Sequence, residues 1–464
     1  MRRIFANRTL NLRSVQAIGY DMDYTLIHYR VEEWERAAFD HARRRLADRG
    51  WPVDGLVFDA DAFTLGLVFD LELGNLVKAT RFGYVVHAHH GSTPLTFDEM
   101  RADYAETVVE LSTDRFDFMN TMFELSRAAL FAQCVDLLDA ARLPAVRSYQ
   151  DLYRQIDEAL GWAHVEGELK AEILADPARF VEPDPDLVPT LADQRLAGRQ
   201  LMLITNSDWS YTQRIMGTVV QPMCPPGTEW RDLFDLVIVS ADKPRFFSEP
   251  KALYRVVDEE ESLLLPHHGP LESGSVYFGG NARAVEQSLG LSSAQILYVG
   301  DHLFGDVHVS KDLLRWRTAL VVRELEGEIE AAADFAADQD ALTELMRDKE
   351  RLDHDSALLR MERTRIRRTG AGGSVESVSK RLDGLSSQSR ALDEQIAPLA
   401  RRANSLGNPI WGPLMRAGND KSLFARQVER YADVYMSRVS NLGRVTPYAY
   451  LRAARGSLPH DQGR

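Results

Sequence analysis

Four short apolar runs, VQAIGYD, LMLITNSD, LFDLVIVSADK and ILYVGDH, each stop abruptly at polar or glycine residues. Runs of this length and β-branched content, separated by helical patterns, predict buried strands of a parallel sheet and an α/β fold. In an open α/β sheet, ligands bind beyond the carboxyl ends of the strands. The residues that end the runs are Asp21, Thr205 with Asn206, Lys243, and Gly300 with Asp301. They are therefore predicted to meet at one edge, although the sequence scatters them widely.

The spacing of the runs sets the domain organisation. At 464 residues the chain is too long for one compact core. Roughly 180 residues separate Asp21 from Leu201, far more than a single crossover needs, so an inserted domain is expected there. GLVFDLELGNLVKA, residues 66–79, alternates around Gly74-Asn75 and predicts a β-hairpin. Residues 116–143 carry apolar positions at helical spacing, and so do residues 155–170, with a break expected near Gly161. Beyond residue 326 a three–four spacing runs through Leu342, Leu345, Lys349, Leu352, Leu359 and Ile366. It resumes after a GAGG turn through Val378, Leu382, Leu385, Leu392, Ile396 and Leu399, the pattern of two long helices folded back on each other. The expected boundaries are 1–85 and 185–330 for the two parts of the core, 86–184 for a mainly helical cap, and 331–464 for a helical hairpin and tail.

Composition excludes several classes of function. Against 55 Lys and Arg stand 69 Asp and Glu, a net charge of −14, which repels nucleic acid and anionic membrane. No run of about 18 apolar residues marks a membrane span, and no signal peptide is read at the N-terminus. Cys134 and Cys224 are far apart and lack metal-ligand spacing, which argues against a disulfide framework and for a reducing, cytoplasmic setting.

The stretch GYDMDYTL sets Asp21 and Asp23 two positions apart in apolar and aromatic surroundings. Like charges so close repel unless something neutralises them, and Mg²⁺ is the natural partner for hard oxygen ligands. With Asp21 at the strand end, its carboxylate would attack phosphorus and form an aspartyl-phosphate. Asp23 would offer its carbonyl to the metal and keep its side chain for general acid/base work. Thr205, Asn206 and Ser207 supply hydroxyl, amide and helix-start N–H groups for phosphate oxygens. Lys243 would place a positive charge near the nucleophile, Asp301 would add a second metal carboxylate, and Asp306 would orient metal-bound water.

DMDYT, TNSD, the lysine of SADKPRFF and GDHLFGD resemble the four motifs of the haloacid dehalogenase superfamily. More narrowly, the chain resembles the cytosolic purine 5′-nucleotidase family, which acts on IMP and GMP. GLVFDLELGNLVK, FMNTMFEL, WAHVEGELK, YTQRIM and LFARQVERYADVYMSRVSNL extend that likeness over most of the chain. The resemblance implies a Rossmann-like core with a cap, Mg²⁺ dependence and a phosphoenzyme. Metal ligands are Asp21, Asp23 and Asp301, and phosphate contacts are Thr205, Asn206 and Lys243. It matches Phe123 to an aromatic that stacks on the purine, and His164 and Lys170 to substrate-side residues. Asp157 and Gly161 stand where the family carries an arginine and an aspartate that read the base, which leaves base preference open. Phe304 and Lys311 match part of a nucleotide effector site, with Asp312 a departure from the basic character there. Phosphotransfer to a nucleoside and a homo-oligomer, dimer or tetramer, are further family habits. Two alternatives remain open at this point: a phosphatase for a sugar phosphate or pyrimidine nucleotide, and a non-catalytic nucleotide-binding scaffold.

Overall fold

In the computed structural model, which describes residues 3–165, 168–258, 263–370 and 372–454 and omits the side chains of residues 122 and 162–165, all four apolar runs are strands of one sheet. The sheet's ten strands are Ile4–Ala6 (β1), Ala17–Tyr20 (β2), Gln200–Ile204 (β3), Leu236–Val239 (β4), Leu253–Asp258 (β5), Leu263–Pro266 (β6), Val276–Gly279 (β7), Ile296–Gly300 (β8), Arg317–Val321 (β9) and Val434–Met436 (β10). Their order is β1-β10-β9-β8-β2-β3-β4-β7-β5-β6. From β10 to β7 every neighbouring pair is parallel, while β1, β5 and β6 join antiparallel at the two edges. The central strands β2, β4 and β8 are buried at every residue, which explains why they read as continuous apolar runs rather than as alternation. Met202, Ile204, Ile238, Tyr277 and Tyr298 pack with Phe246, Phe247 and Trp316 into a core. The parallel pairing brings the C-terminal ends of β2, β3, β4 and β8 to the same edge.

The insertion between β2 and β3 combines a second sheet with helices. Val68–Asp70 and Asn75–Ala79 form the expected hairpin around Gly74, whose φ of 72° suits glycine. Val85–His90, Thr93–Pro94 and Phe116–Phe118 extend it to five antiparallel strands, so the boundary expected between 85 and 86 falls inside the third strand. Asp70, fully buried, anchors this sheet by accepting from Arg115 Nε at 3.0 Å, Arg115 Nη2 at 2.7 Å and Tyr104 OH at 2.9 Å. The helices that matter for the site are Val31–Asp48 (α1), Leu125–Asp139 (α2), Tyr149–Val165 (α3) and Glu168–Ala175 (α4). The break expected at Gly161 does not occur, since α3 runs through it to Val165.

The chain divides into two compact units, Gly327–Pro413 and the remainder. In the smaller unit Ala336–Thr369 (α5) and Val375–Asn404 (α6) pack together through Leu359, Ile366 and Val378. Ion pairs Asp338–Arg402, Lys349–Asp393 and Glu362–Arg381 join progressively later residues of α5 to progressively earlier residues of α6, so the two helices are antiparallel. Gly370, with φ at 67°, caps α5 before the turn. Residues from Leu414 onward belong with the larger unit, and β10 lies within its sheet. No helix among the described residues is long and apolar enough to cross a membrane.

Asp433 fastens β10 to the rest of the sheet. It is fully buried and accepts from Lys311 Nζ at 2.7 Å and from the Thr318 backbone N–H at 3.0 Å, while Arg317 Nε ion-pairs with it at 3.1 Å. Removing one partner from a buried ion pair strands the other's charge. Asp433→Ala is therefore expected to lower the unfolding free energy by about 3 kcal/mol, read from urea denaturation. A loss below about 1 kcal/mol would mean that Lys311 and Arg317 recover their solvation in the variant.

Candidate active site

Asp21 follows β2 directly, and its backbone N–H still donates to Val299 of β8 at 2.9 Å. The chain then turns back on itself, with the Leu26 and Ile27 N–H groups donating to Met22 O and Tyr24 at φ 54°. This turn faces the two carboxylates differently. One oxygen each from Asp21, Asp301 and Asp306 lies within 4.8 Å of the others. The Asp23 side chain is directed elsewhere, accepting from Tyr29 OH at 2.6 Å and from Ser207 Oγ at 2.7 Å.

Lys243 joins this cluster from the loop after β4. Its Nζ lies 2.7 Å from Asp21 Oδ1 and 2.8 Å from Asp306 Oδ1, and it donates to Tyr298 OH at 3.0 Å. Asn206 fixes the lysine's backbone from both sides, accepting from Lys243 N at 2.6 Å and donating to Lys243 O at 3.0 Å. Asp301 accepts from two hydroxyls, Thr25 Oγ1 at 3.4 Å and Thr121 Oγ1 at 3.2 Å. A side chain at Gly300 would meet the Asp306 carboxylate at 2.4 Å, so glycine is what lets Asp306 come this close. Asp306 thus sits among the acids and on the lysine, closer in than a residue acting only through water.

Electrostatics follow from burial. Burial pushes Asp21 up to about 7 against the pull of Lys243, and burial with the charges of Asp21 and Asp306 raises Asp301 well above the usual carboxylate range. Burial also works against the Lys243 ammonium, but Asp21 and Asp306 outweigh it and hold the group well above its ordinary value. Three acids share one lysine, and every donor atom on offer is a hard oxygen, a set that fits a divalent cation. Asp21, Asp301 and Asp306 are the side chains able to hold it.

A cavity of about 610 Å³ opens from this cluster. Its walls include Thr205, Asn206, Ser207 and Lys243 from the strand ends, and Phe123 and Lys170 from the insertion. Phe123 packs edge-on against Tyr24, with ring centres 4.4 Å apart, and against Trp34 at 5.2 Å, so it is both a core aromatic and a cavity wall. Lys170 Nζ lies 3.4 Å from Ser207 Oγ and from Asp208 Oδ2. His164 has its side chain outside the described residues. Lys311 is engaged with Asp433, and Phe304 packs on Phe118, His308 and Tyr431.

Several lining and supporting residues are not singled out by the sequence pattern. Thr25 lies within DMDYT and Thr121 within FMNTMFEL, yet only the fold shows that both donate to Asp301. Tyr29 and Tyr298 hold Asp23 and Lys243. Trp34, Glu124, Arg127 and His302 also line the cavity. Arg127 Nη2 pairs with Asp157 at 2.7 Å, so an arginine does reach that acid, from α2 rather than from the segment around 157–161.

The model of the 5' nucleotidase family matches residues 4–463. 5'-Nucleotidase domain-containing protein 2 of Homo sapiens is 28% identical over 462 residues, covering 95% of this chain and 81% of that protein. The protein of the same name in Rattus norvegicus is 29% identical, covering 95% and 76%. A 5'-nucleotidase domain-containing protein of Dictyostelium discoideum is 25% identical, covering 99% and 74%. Among solved structures, CbbY from Rhodobacter sphaeroides in complex with phosphate is 13% identical, covers 66% of this chain and 86% of its own, and has a TM-score of 0.25; at that score the fold rests on the strand order and not on the likeness. With the family match running nearly from end to end, the chain belongs to the 5' nucleotidase family, and so among the phosphoric monoester hydrolases.

Proposed function

We propose that this chain is an Mg²⁺-dependent 5′-nucleotidase that hydrolyses purine nucleoside 5′-monophosphates of the IMP and GMP type through an aspartyl-phosphate on Asp21. The observation that carries the reading is the convergence of Asp21, Asp301, Asp306 and Lys243 at the floor of a cavity. The cavity's upper wall, Phe123 and Lys170, comes from the insertion, which acts as the cap. A purine ring suits Phe123, since a flat aromatic face offers stacking to a flat base.

An oxygen of the Asp21 carboxylate attacks phosphorus, and the bond from phosphorus to the ester oxygen breaks. Asp23, held at the cavity wall by Tyr29 and Ser207, gives its proton to the departing 5′-oxygen. In the second half a water attacks the aspartyl-phosphate and gives its proton to Asp23, releasing inorganic phosphate and the Asp21 carboxylate. A nucleoside hydroxyl in the place of that water yields phosphotransfer. Asp21, Asp301 and Asp306, with the Asp23 carbonyl beside them, would hold Mg²⁺, which would supply positive charge against the repulsion between nucleophile and phosphate oxygens. Lys243 adds a fixed positive charge beside Asp21, and Thr205, Asn206 and Ser207 orient the phosphoryl oxygens.

Asp21→Asn is expected to cut kcat on IMP or GMP by at least about 10³-fold with an unchanged circular dichroism spectrum. Turnover near the level of the unsubstituted enzyme would remove Asp21 as nucleophile. Asp23→Asn, which loses the acid of the first half and the base of the second, is expected to lower kcat by at least about 100-fold, and acid quenching of the unsubstituted enzyme during turnover of labelled substrate is expected to leave hydroxylamine-sensitive ³²P on the protein. Absence of label on the unsubstituted enzyme would argue against a covalent intermediate. Dialysis against EDTA is expected to lower turnover by about 100-fold or more, and Mg²⁺ to restore it. Activity that persists through chelation would take the metal out of the scheme.

A further inference from the structure

We infer that Tyr29 and Tyr211 are positioning residues for proton transfer by Asp23, Tyr29 fixing the rotation of the Asp23 carboxyl and Tyr211 fixing the hydroxyl of Tyr29. The inference rests on the nucleotidase reading above and extends it to side chains that do not touch the bound molecule: Asp23 lines the cavity, whereas both tyrosines are buried and outside its lining. The Asp23 carboxyl is gripped through both oxygens. Tyr29 OH donates to Oδ1 at 2.6 Å and Ser207 Oγ to Oδ2 at 2.7 Å. The Tyr211 hydroxyl lies 2.8 Å from that of Tyr29, so with Tyr29 donating to Asp23 it is Tyr211 that donates to Tyr29. A carboxylate offers about four lone-pair positions; the two hydroxyls occupy two of them and settle which of the others turn toward the cavity. Proton transfer needs the carboxyl within hydrogen-bond reach of the departing oxygen, and a carboxyl free to rotate is misdirected part of the time.

The two rings are held as firmly as their hydroxyls. Tyr29 lies on the short strand His28–Tyr29, which pairs with Val181–Glu182 where the chain leaves β2 for the insertion and returns toward β3. Its ring centre is 4.4 Å from that of Trp34 and 5.2 Å from that of Tyr24. Tyr211 sits on the first turn of the helix Trp209–Val219, its N–H donating to the capping Asp208 Oδ1 at 2.9 Å, and Lys170 Nζ lies 4.8 Å from its ring centre. The need to satisfy a buried hydroxyl does not by itself produce this arrangement. Tyr20 and Tyr24 carry buried hydroxyls with no hydrogen-bond partner among the described residues, at a cost in free energy. Two tyrosines in series on one carboxyl therefore point to the orientation of that carboxyl as what the pair serves.

The test compares a leaving group that needs a proton with one that does not. In GMP the bond from phosphorus to the 5′-oxygen breaks, and Asp23 supplies the proton that makes the alcohol. In the analogue of GMP with sulfur at that bridging position the phosphorus–sulfur bond breaks and the electron pair stays on sulfur, because a thiol is far more acidic than an alcohol and departs as the thiolate. On the full chain with Mg²⁺, kcat/KM is measured for both substrates in wild type, Tyr29→Phe, Tyr211→Phe and Asp23→Asn; it covers the steps up to release of the nucleoside. Tyr29→Phe is expected to lower kcat/KM for GMP by about tenfold or more, and for the sulfur analogue by less than about twofold. Tyr211→Phe moves the ratio of the two the same way by less. Each ratio is taken within one preparation, so a smaller folded fraction cancels, and Tyr211→Phe carries the test if Tyr29→Phe does not fold. Equal losses on both substrates, or none on either, with Asp23→Asn still sparing the sulfur analogue, overturn the positioning role and leave the nucleotidase reading standing. An Asp23→Asn variant that loses both substrates equally, or a wild type that releases no phosphate from GMP, overturns both.

Discussion

Three carboxylates with oxygens within 4.8 Å of one another do not stay ionised in a buried pocket unless positive charge is brought to them. Lys243 answers part of that demand, and its position explains much of the surrounding structure. Asn206 holds its backbone, Tyr298 accepts from its ammonium, and Gly300 leaves the room through which Asp306 reaches it. The demand is still not met, because burial holds Asp21 up at about 7 and Asp301 well above the usual carboxylate range even with the lysine present. Asp301 leans on the neutral hydroxyls of Thr25 and Thr121 rather than on a direct ion pair among the described residues. An electrostatic imbalance of this sign, built from hard oxygen donors, suits a small divalent cation and the charged phosphoryl group such a cation would accompany.

The parallel sheet makes the imbalance affordable. Asp21, Thr205 and Asp301 stand at or just beyond the ends of three adjacent central strands, β2, β3 and β8, with Lys243 in the loop after β4, and the backbone of those strands is fixed by neighbours on both sides. Rigid strand ends hold like charges close together without the collapse or outward drift that loops would permit. The cost falls on the rest of the fold, which helps explain why the ends of the chain are drawn into the same sheet. β1 and β10 extend it on one side, and the buried Asp433 secures β10 against β9 through Thr318 and two cations.

What was legible in the sequence follows from where physical patterns are strong. Buried parallel strands leave continuous apolar runs, so β2, β3, β4 and β8 were readable, and with them Asp21, Thr205, Asn206, Lys243 and Asp301. The long helices α5 and α6 were readable because a three–four spacing sustained over thirty or so residues has few other meanings. The five-stranded sheet of the insertion was legible only at its Gly74-Asn75 hairpin; its remaining strands are two to six residues long, and Val85–His90, with three histidines, carries no clean apolar alternation. Gly161 misled because a single glycine in an amphipathic helix lowers its stability by only about 1 kcal/mol, which packing of α3 against α1 and α2 exceeds. Thr121 and Arg127 stayed hidden for another reason: each earns its place through a partner distant in sequence, Asp301 for one and Asp157 for the other.

The cavity joins two kinds of wall with different freedom to change. Its floor is made of strand ends, where a substitution disturbs the shared charge balance and hence the chemistry itself. Its other wall takes Trp34 from α1, Thr121, Phe123 and Glu124 from the segment before α2, Arg127 from α2, and Leu169 and Lys170 from α4, and of these Thr121 donates to Asp301. Glu124, Arg127 and Asp157 form a charge group of their own, closed by Tyr153. Changes there alter which acceptors and donors face the bound molecule while leaving Asp21, Lys243 and Asp301 as they are. Substrate choice is therefore separable from phosphoryl chemistry in this fold, and relatives with the same strand ends need not share a base preference.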